Sequence, residues 1–461
     1  MAVRVDHLKS MLGDQLSCEK ADLAAHAGDL WPRRILSERL GQKSRQPIAV
    51  VTPRSIEAIQ KLLKWANEER VAIIPFGGGS GVCGATQPVK DSVVLDMKYL
   101  NSVKMIDLKS QTVTAAAGIL GPDLEKQLNE RNLTLNHFPA SFHISTLGGW
   151  IATRAAGQLS TAYGSIEDNL LAVKVVLPNG EILETKLTPR AATGPSLKEL
   201  FLGAEGTLGV VVEATCQAYA LPAQRDFLAF SFADIPKALE AVRTLIQREV
   251  RPAVVRLYDE ADTQLVLSEM RIEAGGNLLI LAFQGEKEMV AFQKKIAWQH
   301  LSKLAKDLGE KPGEHWWRHR FDLNDQKMLS ILSQKGMILD TIEVAACWSN
   351  LEKLYQNMKR VIEAEITVLA HFSHFYPSGG SIYFTFIGAV EEKESLTKYD
   401  RVWDRAMESC LEAGGTISHH HGIGLLKKKW LKRELNGGYS LLTQIKQTLD
   451  PKNILNPDKL L

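Results

Sequence analysis

Val71-Ala72-Ile73-Ile74-Pro75-Phe76-Gly77-Gly78-Gly79-Ser80-Gly81 joins a short apolar strand to four glycines within five residues. Glycine reaches positive φ without a Cβ penalty and leaves backbone N–H groups free to converge on an anion. The segment therefore has the outline of a phosphate cradle, although a flexible turn has the same composition. It is not the Gly-x-Gly-x-x-Gly dinucleotide fingerprint that opens a helix. Nor is it a Walker loop, because no Lys-Ser/Thr pair follows.

Upstream, residues 48–51 predict a strand, and Ser55 opens an amphipathic helix with Ile56, Ile59, Leu62, Leu63 and Trp65 on one face. Downstream, residues 92–96 and 112–115 predict further strands, and residues 122–130 a helix. A long, weakly regular stretch at 136–168 is rich in Gly, Ser, Thr and Ala, and loops of that length inside a domain usually carry function. Residues 172–184 read as a hairpin bent at Pro178-Asn179-Gly180, and Glu205-Gly206-Thr207-Leu208-Gly209-Val210-Val211 leads into another strand. Beyond Leu221-Pro222 the pattern becomes α+β: helices at 235–249 and 394–413, strands at 253–258, 277–284, 367–371 and 382–387.

A chain of 461 residues exceeds one ordinary core, so two domains are expected. Its 55 basic and 53 acidic residues leave a formal charge of +2, which gives no electrostatic case for nucleic acid. Cys18, Cys83, Cys216, Cys347 and Cys410 are odd in number and scattered, as in reduced cytoplasmic proteins. The N-terminus is too charged for a signal peptide, and no run of about 18 apolar residues predicts a membrane span. Lys459-Leu460-Leu461 differs from the Ser-Lys-Leu peroxisomal address. The expectation is a cytoplasmic protein.

Three constellations can carry chemistry. His419-His420-His421 precedes Gly422-Ile423-Gly424, and neutral imidazoles there can exchange protons near pH 7, hold a substrate, or bind a metal. Adjacent residues rarely reach one ion, and no Cys or acid spacing assists them. Tyr376 sits in a Gly/Pro turn, Ser373-His374-Phe375-Tyr376-Pro377-Ser378-Gly379-Gly380, as a proton donor or a half-buried phenol. Arg256 and Arg320 can grip an anion bidentately or be surface charges. The run Lys427-Lys428-Lys429-Trp430-Leu431-Lys432-Arg433 reads as a solvated helix face, with weak contact to an anionic membrane surface as the alternative.

In this order, from Ile48 to Leu461, the segments resemble the FAD-binding flavoproteins of vanillyl-alcohol oxidase and p-cresol methylhydroxylase type, down to the closing Pro451-Lys452-Asn453-Ile454-Leu455-Asn456-Pro457. The resemblance implies an α+β fold: a two-subdomain FAD-binding domain over 1–222, an antiparallel-sheet cap flanked by helices over 223–415, and a C-terminal segment, 416–461, returning to the FAD domain. It implies FAD lined by four segments. These are Pro75, Phe76, Gly77, Gly78, Gly79, Ser80 and Gly81; Ala140, Ser141, Phe142, His143, Ile144, Ser145 and Thr146; Thr153, Arg154, Ala155 and Ala156; and Glu205, Gly206, Thr207, Leu208, Gly209, Val210 and Val211. The Gly-rich loop holds no histidine, so non-covalent FAD is expected.

Within the family, Ser145 to Arg154, Tyr163-Gly164-Ser165-Ile166-Glu167-Asp168 and Ser418 to Gly422 are similar to alkylglycerone-phosphate synthases, the ether-lipid enzymes that exchange an acyl group for a fatty alcohol without net redox change. That similarity implies Tyr376 as acid/base, Arg320 and Arg256 as substrate-binding, and His419, His420 and His421 assisting at the flavin. The implied partner is a small-molecule or lipid-precursor substrate, and a homodimer is compatible with it. The alternative is a D-2-hydroxyacid dehydrogenase of D-lactate or glycolate type, passing electrons to an external acceptor. Those relatives carry Glu-His-Gly where this chain has His420-His421-Gly422, and a metal segment of which only His374 remains, so no metal centre is expected. Lys327 also stands near a place where the synthases have a further arginine, and the chain is short at its N-terminus.

Overall fold

A computed structural model describes residues 2–270, 272, 274–322 and 325–461. The strand before the glycines is Ala72–Phe76, parallel to Ser92–Asp96, which is itself parallel to Ala49–Val51. Parallel strands need a crossover. The helix Ile56–Glu69 supplies it: Ser55 caps it by accepting from the Ala58 N–H, and Ile59, Leu62, Leu63 and Trp65 form its buried face. Leu16–Ser17 adds an antiparallel fourth strand.

A second, antiparallel sheet runs in the order Val103–Asp107, Thr112–Ala116, Val210–Gln217, Leu170–Val176, Ile182–Glu184. Its last two strands are the hairpin expected at Pro178-Asn179-Gly180, with Gly180 at φ +82°. The largest sheet among the described residues has seven antiparallel strands: Lys306–Gly309, Gln224–Phe232, Asn277–Gly285, Val254–Tyr258, Thr367–Tyr376, Gly379–Ala389 and Met337–Cys347. The helices Ile235–Gln247, Trp348–Glu363 and Ser395–Glu412 cover it over a core that includes Phe230, Phe372, Phe384, Phe386 and Trp403.

The chain end returns to the first sheet. Ile73 N–H donates to the Ile454 carbonyl at 2.7 Å, and Asn456 N–H donates to the Ile73 carbonyl at 2.8 Å. The helix Pro32–Arg39 lies beside the helix Ser395–Glu412 that covers this sheet: Arg33 pairs with Asp400 on that helix, and Arg39 with Glu392 just before it.

Several elements carry weak sequence signals. The 136–168 stretch contains three short helices, Leu147–Thr153, Ser160–Tyr163 and Ile166–Asn169. Seven residues or fewer give no helical period, so only their caps mark them: Thr146 accepts from Gly149 N–H, and Ser165 with Asp168 forms a capping box. Met337–Cys347 is hidden as a strand because buried Asp340 and Glu343 interrupt its apolar run. Among the described residues, no helix is long and apolar enough to cross a membrane.

Candidate active site

The Gly-rich segment packs against 144–146 at a distance that excludes side chains. A Cβ on Gly78 would lie 1.7 Å from the Ile144 carbonyl oxygen, and one on Gly77 would lie 2.4 Å from the Thr146 hydroxyl. Gly206, at φ +70°, fits against the Pro75 ring in the same way. Three of the segments expected around FAD thus touch, and Glu205 N–H donates at 2.9 Å to the carbonyl of Ala152, the residue just before the fourth. Where they meet the C-terminal tail, Asn456 Nδ2 donates to the carbonyls of Ala85 and Glu205. There the buried Asn456 Oδ1, Thr86 Oγ1 and Gln87 Oε1 have no partner among the described residues. Buried polar atoms are normally satisfied, so the Thr86 hydroxyl fits a donor to an anion such as the FAD pyrophosphate, and the two amide oxygens fit acceptors for the N–H or O–H groups of a polar ligand.

Not every expected lining residue presents a side chain. Phe142, Ala155, Leu208 and Val210 belong to apolar cores, and Phe142 stacks on Phe321. Arg154 takes a left-handed conformation, φ +54°, and its guanidinium pairs with Glu167. Glu205 is buried, which pushes its carboxyl up to about 7, and it accepts the N–H groups of Ile423 and Gly424.

Tyr376 is brought to the same region by an irregularity in its strand. The register of Thr367–Tyr376 against Gly379–Ala389 shifts between Ser373 and Tyr376, with His374 at φ +50°. Bulges of this kind re-aim side chains and recur beside active sites. The Tyr376 hydroxyl lies 3.0 Å from His419 Nε2 and 3.4 Å from Ser165 Oγ. His419 Nδ1 is 2.9 Å from His420 Nδ1, and His374 stacks on His419 while its Nδ1 meets Ser160 Oγ at 2.6 Å. Ligand nitrogens of His374, His419 and His420 lie within 4.8 Å of one another, a space that a shared proton, a water or a cation can occupy.

Burial sets the protonation states. It lowers His419 to about 4, pushes His374, His420 and His421 down as well, and pushes the Tyr376 phenol up. Near pH 7 the cluster is thus a protonated phenol against neutral imidazoles, a proton donor beside proton acceptors. Ser160, Ser165 and His374 complete this arrangement. The first two lie in the irregular 136–168 stretch, and no spacing in the sequence marks them.

Arg256 and Arg320 stand beside consecutive tryptophans. Arg256 donates to the Tyr258 hydroxyl at 2.9 Å and to His371 Nε2 at 2.7 Å, and lies 5.4 Å from the Trp316 ring centre. Arg320 lies 3.8 Å from the Trp317 ring centre and donates to the Trp317 carbonyl; its buried Nε has no partner among the described residues. Burial, with Arg225 nearby, lowers Arg320 to about 10. Arg225 lies 3.7 Å from the same indole and donates to Gln284. The hydrogen bonds that all three arginines make among the described residues end on neutral groups, as suits an anion-binding role. Arg225 gave no signal in the sequence.

In the basic run Lys429, Lys432 and Arg433 are exposed, as expected of a solvated face, but Lys427 is not. Lys427 is fully buried against Glu343, Lys429 pairs with Asp404, Arg433 with Glu408, and Lys428 donates to the Leu461 carbonyl. These charges are matched within the chain because the helix Lys428–Leu435 packs against Ser395–Glu412 and the chain end.

Residues 47–186 match the family of FAD binding domains, and residues 221–460 match the C-terminal domain of FAD linked oxidases. An alkyldihydroxyacetonephosphate synthase of Dictyostelium discoideum is 33% identical, across 98% of this chain and 79% of its own. A mitochondrial D-lactate dehydrogenase (cytochrome) of Arabidopsis thaliana is 30% identical, across 90% and 73%. A solved alkyldihydroxyacetonephosphate synthase superposes with a TM-score of 0.85 at 32% identity, covering 100% of this chain and 86% of that one. The p-cresol methylhydroxylase structure with substrate bound superposes at 0.78 with 19% identity over 99% and 96%, a likeness of fold. With both halves matched and a relative of this identity along nearly its whole length, the chain belongs to the FAD-linked oxidase family and is an FAD-dependent enzyme.

Proposed function

We propose that this flavoenzyme works as an alkylglycerone-phosphate synthase does, on a small phosphate- or carboxylate-bearing hydroxy or keto substrate. The observation that carries the reading is the 3.0 Å approach of the Tyr376 hydroxyl to His419 Nε2, inside a cluster of imidazoles that burial keeps neutral. Bound FAD would supply a ring that accepts and returns an electron pair at N5. In this reading Tyr376 holds the proton that leaves or rejoins the substrate carbon, and His419 takes or returns it, with His420 and His421 behind. Arg320 and Arg256 hold the anionic group.

Residues 1–222 with 416–461 would hold FAD non-covalently, and residues 223–415 would close over the substrate. The matched glycines, the unpartnered Thr86, Gln87 and Asn456 oxygens, and the absence of histidine from the Gly-rich loop support that division. The second reading is a D-2-hydroxyacid dehydrogenase, favoured by the 30% identity to a D-lactate dehydrogenase. Incubation with acyl-dihydroxyacetone phosphate and labelled fatty alcohol tests the first. The label should enter the phosphate-bearing product, and the exchange should stop in Tyr376→Phe. No exchange, or full exchange by Tyr376→Phe, contradicts this reading.

A further inference from the structure

Beneath the histidine turn lies a pair of charges that the proton transfer itself does not use. Glu343, on the strand Met337–Cys347, and Lys427 both have 0% exposed side chains, and Lys427 Nζ donates to Glu343 Oε2 at 2.6 Å. Glu343 Oε1 accepts the Ser418 hydroxyl at 2.7 Å and the N–H groups of His421 at 2.8 Å and His420 at 3.3 Å. Lys427 Nζ also donates to Ser418 Oγ at 3.1 Å, so the first residue of the turn is held by both partners. Just before it, Thr416 N–H donates to the Ala345 carbonyl, which docks the incoming chain on the strand that carries Glu343.

A buried ion pair is weak evidence for stability, because desolvation offsets most of the attraction and an apolar pair of similar volume is often as stable. The partners of this pair point to another role: beyond Lys427, the carboxylate's hydrogen bonds end on Ser418, His420 and His421. We propose that Glu343 and Lys427 are positioning residues that fix the turn from Ser418 to Gly422, so that His419 meets the Tyr376 hydroxyl in one arrangement. This rests on Tyr376 and His419 being the proton-moving groups.

The two charges also act on the imidazoles in opposite senses. Burial disfavours protonation of His421 most strongly; Glu343, 3.5 Å from its Nδ1, opposes that effect, and Lys427 adds to it. The same signs hold at His419. The other titratable groups around the cluster are His374 and Tyr376, Tyr383 on the neighbouring strand with Arg256 and Asp340 acting on it, Glu167 and Asp168 near Tyr376, and Glu205 below Ile423.

Three variants of the FAD-loaded protein test the proposal: Glu343→Leu, which removes the acceptor as well as the charge, Lys427→Met and the double variant. Each single change strands a buried charge and lowers stability, whereas the double change leaves a neutral pair and keeps the fold. In histidine-labelled protein followed by NMR, the titrations of His419 and His421 should move to lower pH in Glu343→Leu and to higher pH in Lys427→Met. The double variant should lose roughly tenfold or more in kcat, with KM within about threefold of the parent. A double variant with the parent kcat, or single variants whose titrations move in the same direction, would overturn it. The titrations need no substrate, so an error in the assigned reaction leaves that arm readable.

Discussion

The proposed FAD cradle and the Tyr376 cluster are built on opposite plans. The cradle is backbone against backbone: Gly77 and Gly78 touch residues 144–146, and Gly206 touches Pro75, with no room for a Cβ. The cluster is side chain against side chain, drawn from Ser160 and Ser165, His374 and Tyr376, and His419 to His421. A site made of backbone tolerates little added volume, and a site made of side chains tolerates little change of chemistry. Substitutions should therefore separate cofactor retention from turnover.

Gly78→Val should have the largest effect, since a Cβ 1.7 Å from a carbonyl oxygen forces two loops apart. A loss of at least about 3 kcal/mol in stability is expected, together with a low flavin-to-protein ratio in the purified variant. Normal flavin content would break the contrast. Tyr376→Phe should show the reverse, with FAD absorbance and Tm near the parent while kcat falls roughly 10²- to 10⁴-fold. A Phe variant that lost flavin would place Tyr376 on the structural side of the comparison.

The same contrast explains what was legible in the sequence. Ser55 and the Pro178-Asn179-Gly180 bend act within a few residues of themselves, so composition reveals the strand-helix-strand unit and the hairpin, whereas the glycines from Gly77 to Gly81 stand out by composition but their partners at 144–146 do not. Tyr376 and the histidine triplet stood out as residues, but their 3.0 Å meeting comes from a bulge and a distant turn. Glu343 was invisible because a buried carboxylate inside a strand looks like an interruption of the strand. Lys427 was read with its basic neighbours, and only packing separates the buried ammonium from the exposed ones.

Acidity gives a smaller, signed effect. His419 has a folded pKa of about 4 against an ordinary 6.5, so between those values the unfolded state binds the extra proton. Its contribution is fully present above pH 6.5 and is lost as pH falls toward 4, by up to about 3 kcal/mol. Thermal melts should show that His419→Gln loses less stability between pH 7 and pH 5 than the parent does. An equal loss would mean that His419 titrates like a free imidazole. The smallest effect belongs to the paired surface charges: Lys429→Ala, which breaks an exposed pair with Asp404, should change stability by less than about 1 kcal/mol in a melt.

The most direct test of the assigned chemistry is the absorbance of the oxidised flavin under anaerobic conditions after mixing with D-lactate, glycolate or D-2-hydroxyglutarate. A synthase-type site, which exchanges groups without net redox change, predicts that the band persists with all three. Rapid bleaching by any one of them would contradict the synthase reading and assign Tyr376 and the histidines to a dehydrogenase.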